Sequence, residues 1–252
     1  GIVVCADGSA AVAATFTTVL LLVTLAVINE LEKRFIRHPV ISRLVTLGSN
    51  FDAASRGEIE ICLSQGARPD QISFGNTIKR PVDIAWAHGA GITLFAADAE
   101  EELDKIAEHA PGAQVYIRLI VEVSQADWPL TRKFGCDADM ALSLLDYAKS
   151  LGLSPIGFSF HVGSQTRRAE MWEPALDELA AIWHAARAAG HDLTLLNIGG
   201  GFPAFYGEAI QAPTDYAAAV ISRITERFGH VKRIMAEPGR GMVAEAGVIV
   251  TE

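Results

Sequence analysis

The chain is short of three things, and each shortage excludes a class of protein. Its 252 residues hold three cysteines, Cys5, Cys62 and Cys136, too few and too scattered for a disulfide framework or a C-x-x-C metal site. No metal is therefore expected, and a reducing cytoplasm is the expected compartment. Basic side chains are outnumbered, 21 against 30 acidic, and the formal charge of −9 speaks against a nucleic-acid partner held by phosphate neutralisation. The third absence is a G-x-G-x-x-G after the first apolar run, which a dinucleotide-binding open sheet would carry. Apolar residues, by contrast, make up 50% of the chain, which excludes disorder and provides for a sizeable core.

Ala10 to Ile28 is the one long uncharged run, AAVAATFTTVLLLVTLAVI. Nineteen residues is about the minimum for a membrane span, but four threonines and five alanines dilute it and no Lys or Arg precedes it. A buried strand or helix is the preferred reading, and a membrane anchor the alternative. The stretch that follows, Asn29 to Arg37, is densely charged. The chain opens on Gly1 rather than Met and stops at Glu252 directly after the strand-like GVIV, so it is expected to be a piece of a longer protein.

From residue 40 onward, short apolar runs alternate with longer amphipathic stretches, the rhythm of repeated strand and helix units around a parallel sheet. Strand ends are expected at Asp52, Asn76, Asp98, Arg118, His161, Gly199 and Glu237. Helices are expected over AEEELDKIAEHA, MALSLLDYAKSLG and EPALDELAAIWHAARAAG, the last two closing on Gly152 and Gly190. These seven strands, with an eighth supplied by the apolar run at the start, predict a (β/α)8 barrel in one domain. Residues 1–39 are set apart as an atypical segment containing the first strand, and residues 40–252 as the barrel proper.

Barrel enzymes carry their reactive groups at the carboxyl ends of the strands. Here those positions hold Asp52, Glu58 just beyond it, Arg118, His161, and Glu237 with Arg240. Taken singly, each is a solvated loop residue or a helix cap. As a ring they point to a site. Gly199, Gly200 and Gly201 follow an apolar strand and let backbone N–H groups approach an anion, with Arg240 as a charged partner for a phosphate. A carboxylate such as Glu237 at the end of a buried strand needs a cation, and a protonated heteroaromatic nitrogen would supply one. Phosphate plus pyridinium points to pyridoxal 5′-phosphate, with His161 stacked on its ring.

FDAASRGEIE, FGNTIK, RKFG, SFHVGSQ, NIGGGFP and AEPGRGMV, in this order, resemble the pyridoxal-phosphate-dependent ornithine, lysine, arginine and diaminopimelate decarboxylases with the alanine-racemase-like barrel. The resemblance covers about residues 40 to 252 and is closer to the ornithine and lysine branch. It implies that Glu237 holds the ring nitrogen protonated, that His161 stacks on the ring, and that Gly200, Gly201, Ser164 and Arg240 bind the phosphate. It further implies that Asp52, Glu58, Arg118 and Lys133 line the same pocket, Lys133 on its substrate side.

In this family the lysine that holds the cofactor ends the first barrel strand in a YAVKxN motif, nineteen residues before the Asp of FD. That offset selects Lys33, although ELEKRFIR around it does not resemble the motif and also reads as part of a charged helix. The family's C-terminal β-domain is expected to be absent from this chain. The implied activity is decarboxylation of ornithine or lysine for polyamine or diamine synthesis, by an enzyme that is a homodimer at full length. Diaminopimelate decarboxylation and a non-catalytic barrel or regulator are the alternatives.

Overall fold

The computed structural model describes residues 4–7, 33–121 and 134–244, with side chains described over 40–121 and 134–244. The apolar run Ala10 to Ile28 and Lys133 lie outside the described residues. Among those described, no helix is long and apolar enough to cross a membrane.

The strands are β1 (Val4–Asp7), β2 (Phe51–Ala53), β3 (Ile72–Phe74), β4 (Leu94–Ala97), β5 (Gln114–Arg118), β6 (Ser154–Ser159), β7 (Leu195–Asn197) and β8 (Arg233–Ala236). Helices alternate with them: α1 (Lys33–Thr46), α2 (Arg56–Ser64), α3 (Pro81–Gly89), α4 (Glu100–His109), α5 (Ala138–Ser150), α6 (Glu173–Ala188), α7 (Pro213–Phe228) and the short α8 (Gly239–Val243). From β2 to β8 each strand pairs in parallel with the next, giving the curled sheet of an α/β barrel. The expected barrel is therefore present. The apolar run assigned to its first strand lies outside the described residues; among the described strands, β1 pairs antiparallel with β8, Val4 opposite Ala236 and Asp7 opposite Arg233, and the seven from β2 to β8 are parallel. The physical reason is that the outer edge of β8 needs a partner for its N–H and C=O groups, and a strand of either direction satisfies them.

Local sequence explains where the helices begin and end. Ser55 caps α2 by accepting the Glu58 N–H, and Asp137 caps α5 by accepting the Met140 N–H. Proline opens α3 and α7, where its missing N–H is no loss. Gly152 and Gly190 stand just past α5 and α6 with φ of 77° and 89°, as helix-end glycines do.

Alternation along the strands separates two cores. Phe51, Ala53, Ile72, Phe74, Phe95, Val115, Ile117 and Leu196 pack outward against the helices. Leu94, Ala96, Tyr116, Ile156, Leu195 and Met235 form a small cluster inside the barrel. Since successive side chains leave a strand on opposite faces, Asp52 and Ser73 also fall on the inner face, opposite each other in register. Polar residues on that face, directly under the strand ends, set the floor of the site.

Candidate active site

At the carboxyl ends of the strands lies a cavity of about 400 Å³, lined in part by Asp52, Tyr116, Arg118, His161, Asn197 and Glu237. Every expected strand end falls at or within two residues of an observed one, because each barrel strand stops where polar residues meet this opening.

The floor is acidic. Asp52 is buried, and its Oδ1 accepts hydrogen bonds from Ser73 Oγ at 2.5 Å and Tyr116 Oη at 3.2 Å. Burial, and then the neighbouring charge of Glu237, raise the Asp52 carboxyl to about 7. Tyr116 is raised well above its ordinary value, by burial first and then by the charges of Asp52 and Glu237. Glu237, just past β8, is half-buried, and its Oε1 accepts a hydrogen bond from Asn197 Nδ2 at 2.8 Å. Gly75 allows the Asp52 carboxylate its place, since a Cβ there would collide with it.

His161 stands on the wall, two residues past β6. Its Nδ1 accepts the Gly163 N–H at 2.9 Å, which fixes the tautomer with the proton on Nε2. Burial, and then the charges of Arg118 and Arg240, push its pKa down to about 4, so the ring is neutral at pH 7. The glycine turn abuts it. A Cβ on Gly199 would strike the Phe160 carbonyl, one on Gly200 would lie 2.7 Å from His161 Nε2, and one on Gly201 would lie 2.6 Å from the Gly163 carbonyl oxygen. The backbone here comes closer than any side chain would permit. Such a turn presents main-chain groups to an anion.

Of the remaining expected residues, Arg118 lines the cavity, and Glu58, Ser164 and Arg240 are not among the residues that line it. Arg118 ends β5, with its guanidinium 5.6 Å from the centroid of the Phe134 ring. Ser164 is half-buried in the loop after β6, and Arg240 is exposed on α8. Glu58 completes the cap of α2, its Oε2 accepting the Ala54 N–H at 2.8 Å. Lys33 is the first residue of helix α1 and does not end a strand; its side chain is outside the described set, as is the whole of Lys133.

Three cavity-floor residues escaped the sequence reading: Ser73, Tyr116 and Asn197. A period-two count would have found two of them. Tyr116 precedes Arg118 by two residues on β5, and Asn197 precedes Gly199 by two on β7, so each shares a face with a residue already singled out. Ser73 is found only through its pairing with Asp52.

A cavity floored by carboxylates and walled by a neutral histidine, with a glycine turn packed against that histidine, is the site that this α/β barrel presents. Comparison with known proteins makes the class specific. The family described as pyridoxal-dependent decarboxylase, pyridoxal binding domain, matches residues 32–244, and the chain belongs to it. A decarboxylase of Aspergillus flavus is 36% identical over 82% of this chain and 48% of its own length. Ornithine decarboxylase 2 of Drosophila melanogaster is 33% identical over 84% and 53%. The crystal structure of lysine decarboxylase from Selenomonas ruminantium superposes with a TM-score of 0.76 at 34% identity, covering 83% of this chain and 55% of that one. The chain spans about half the length of the curated relatives it matches.

Proposed function

We propose that the chain is the cofactor-binding barrel of a pyridoxal-phosphate-dependent decarboxylase acting on ornithine or lysine. The observation that carries the reading is Glu237, a carboxylate held by Asn197 on the floor of a cavity walled by a neutral histidine, with a glycine turn against that histidine. The cavity fits the cofactor. The turn at Gly199 to Gly201 is a cradle that a Cβ would fill, and the half-buried Glu237 carboxylate offers an acceptor for a ring N–H.

In this reading Gly200, Gly201, Ser164 and Arg240 hold the phosphate, His161 packs on the ring face, and Glu237 keeps the ring nitrogen protonated. When bound, pyridoxal phosphate supplies an electron sink for the pair released as the bond to the carboxyl carbon breaks. Asp52, with Tyr116 and Ser73 on its Oδ1, keeps a proton close to Glu237. Arg118, at the cavity edge over Phe134, provides a cation for a carboxylate. Lys33 is taken as the lysine that holds the cofactor and Lys133 as a substrate-side residue. At full length the enzyme is taken to be a cytoplasmic homodimer in polyamine or diamine synthesis.

One observation favours a second reading, a barrel that keeps the cofactor without turnover: the backbone at Lys33 is helical. Two measurements separate the cases. Borohydride trapping of pyridoxal phosphate followed by peptide mapping should label Lys33, one of only six lysines. Carbon dioxide release from ornithine, lysine and diaminopimelate should occur with one of the first two and vanish in Glu237→Ala. Release from diaminopimelate alone would replace the substrate, and cofactor retention without any release would replace decarboxylation with the non-catalytic reading.

A further inference from the structure

We infer that Gln165 is a positioning residue that sets the spacing between the two phosphate-binding loops of the cavity. The inference rests on the pyridoxal-phosphate reading for its ligand and on geometry for the clamp. Gln165 is the one non-glycine residue with positive φ, 59°, among the described residues, and it is 2% exposed. A side chain in that conformation persists only where its surroundings hold it there. What holds it is a reciprocal pair of hydrogen bonds to a single residue on the other loop. Gln165 Nε2 donates to the Ala204 carbonyl at 2.5 Å, and the Ala204 N–H donates to Gln165 Oε1 at 3.0 Å. Only one orientation of the amide satisfies both, so the side chain takes the place of a backbone strand partner.

The two loops joined in this way carry Ser164 on one side and Gly199 to Gly201 on the other. A second stitch lies beside the first: the Thr166 N–H donates to the Gly201 carbonyl at 2.9 Å. Beneath it, Tyr216 Oη donates to the Thr166 carbonyl at 2.6 Å and accepts from Trp172 Nε1 at 2.7 Å. Trp172 meets Phe202 edge-on, with ring centroids 5.5 Å apart. The clamp therefore stands on an aromatic base of Trp172, Tyr216 and Phe202. Gln165 itself is occupied with Ala204, so it acts on a ligand through its neighbours Ser164 and Gly201.

The test uses Gln165→Gly, which keeps the backbone conformation without strain and removes the clamp, and Gln165→Glu, which keeps the acceptor and loses the donor. Pyridoxal 5′-phosphate is expected to bind both variants about tenfold more weakly than the parent, while pyridoxal, which lacks the phosphate, binds unchanged. Equal loss for the two ligands, or loss for neither, would overturn the assignment. Hydrogen exchange at the Ala204 amide reads the clamp without any cofactor. Protection lost in Gln165→Gly, with the strand amides still protected, supports the clamp; protection retained removes it. If the parent chain binds neither ligand, the cofactor reading fails, and the exchange measurement alone decides whether the clamp stands.

Discussion

The Asn197 side chain ties the acidic floor of the cavity to the glycine turn: Nδ2 donates to Glu237 Oε1 at 2.8 Å while Oδ1 accepts the Gly199 N–H at 2.9 Å. One residue thus orients the carboxylate and the turn together. Asn197→Leu, with the same number of side-chain heavy atoms, frees both. The variant is expected to fold and to bind pyridoxal phosphate about tenfold more weakly, since a charge-assisted hydrogen bond contributes about 1.5–3 kcal/mol. An absorbance titration with the cofactor checks this, and an unchanged affinity would remove the link.

Asp52 and His161 give the protein opposing acid dependences. Asp52 has its folded pKa raised from 3.8 to about 7, so its contribution to stability is fully present below about pH 4 and is lost as pH rises through 7. Asp52→Asn should therefore gain stability relative to the parent between pH 4.5 and 7.5, on the order of 2 kcal/mol in urea unfolding. A difference that does not change with pH would contradict the buried, proton-holding carboxyl.

His161 runs the other way. Its folded pKa is lowered from 6.5 to about 4, so the stability it contributes is present above 6.5 and is lost as pH falls through 4. His161→Phe should flatten the acid limb of the unfolding curve. An imidazole resonance titrating near 6.5 in the folded protein would refute the desolvated ring. Because the two slopes oppose each other in one window, each is legible only as the difference between variant and parent.

The glycine turn predicts a contrast between neighbours. Gly199 has φ of 65° and a Cβ there would strike a backbone carbonyl, so Gly199→Ala should destabilise the fold by about 2 kcal/mol or more. In Gly200→Ala, where φ is not positive, the Cβ would lie 2.7 Å from His161 Nε2 and 3.1 Å from the Glu237 carbonyl oxygen, so the main displacement falls on the His161 ring. That variant should keep most of its stability and lose cofactor affinity. Thermal melts together with cofactor titration distinguish the two.

Away from the cavity, Lys79 is fully buried. Its Nζ lies 2.9 Å from Glu102 Oε1 and donates to the carbonyls of Asn76 at 2.7 Å and Ala96 at 2.6 Å, so it fastens the loop that carries cavity residue Asn76. Burial lowers its pKa to about 8. Lys79→Met leaves Glu102 with Lys105 alone and should cost about 3 kcal/mol of unfolding free energy, the usual loss when one partner of a buried pair is removed. A loss under about 1 kcal/mol would show that the cluster contributes no more than a surface pair.

Much of the site was legible because barrel chemistry is local to strand ends. Asp52, Arg118, His161 and Glu237 each break an apolar run, and such a break is visible in a string of letters. The helices were legible for a similar reason: their caps and closing glycines are set by residues three or four apart. Partnership was not legible. The residues that support Asp52 lie 21 and 64 positions away at Ser73 and Tyr116, and the one that holds Glu237 lies 40 away at Asn197. The antiparallel β1 was not legible either: nothing in the composition of Val4–Asp7 marks its direction, and its pairing follows from which edge has unpaired backbone groups.

The sequence by itself determined the strand and helix alternation, the barrel, and the polar residues that interrupt the strands, because periodicity and capping act over a few residues. Only the tertiary structure decided that Asp52 and Glu237 share one floor, that His161 is neutral, and that Gln165 reaches Ala204. Burial and charge proximity are properties of distances across the barrel, and those distances exist only once the sheet has curled.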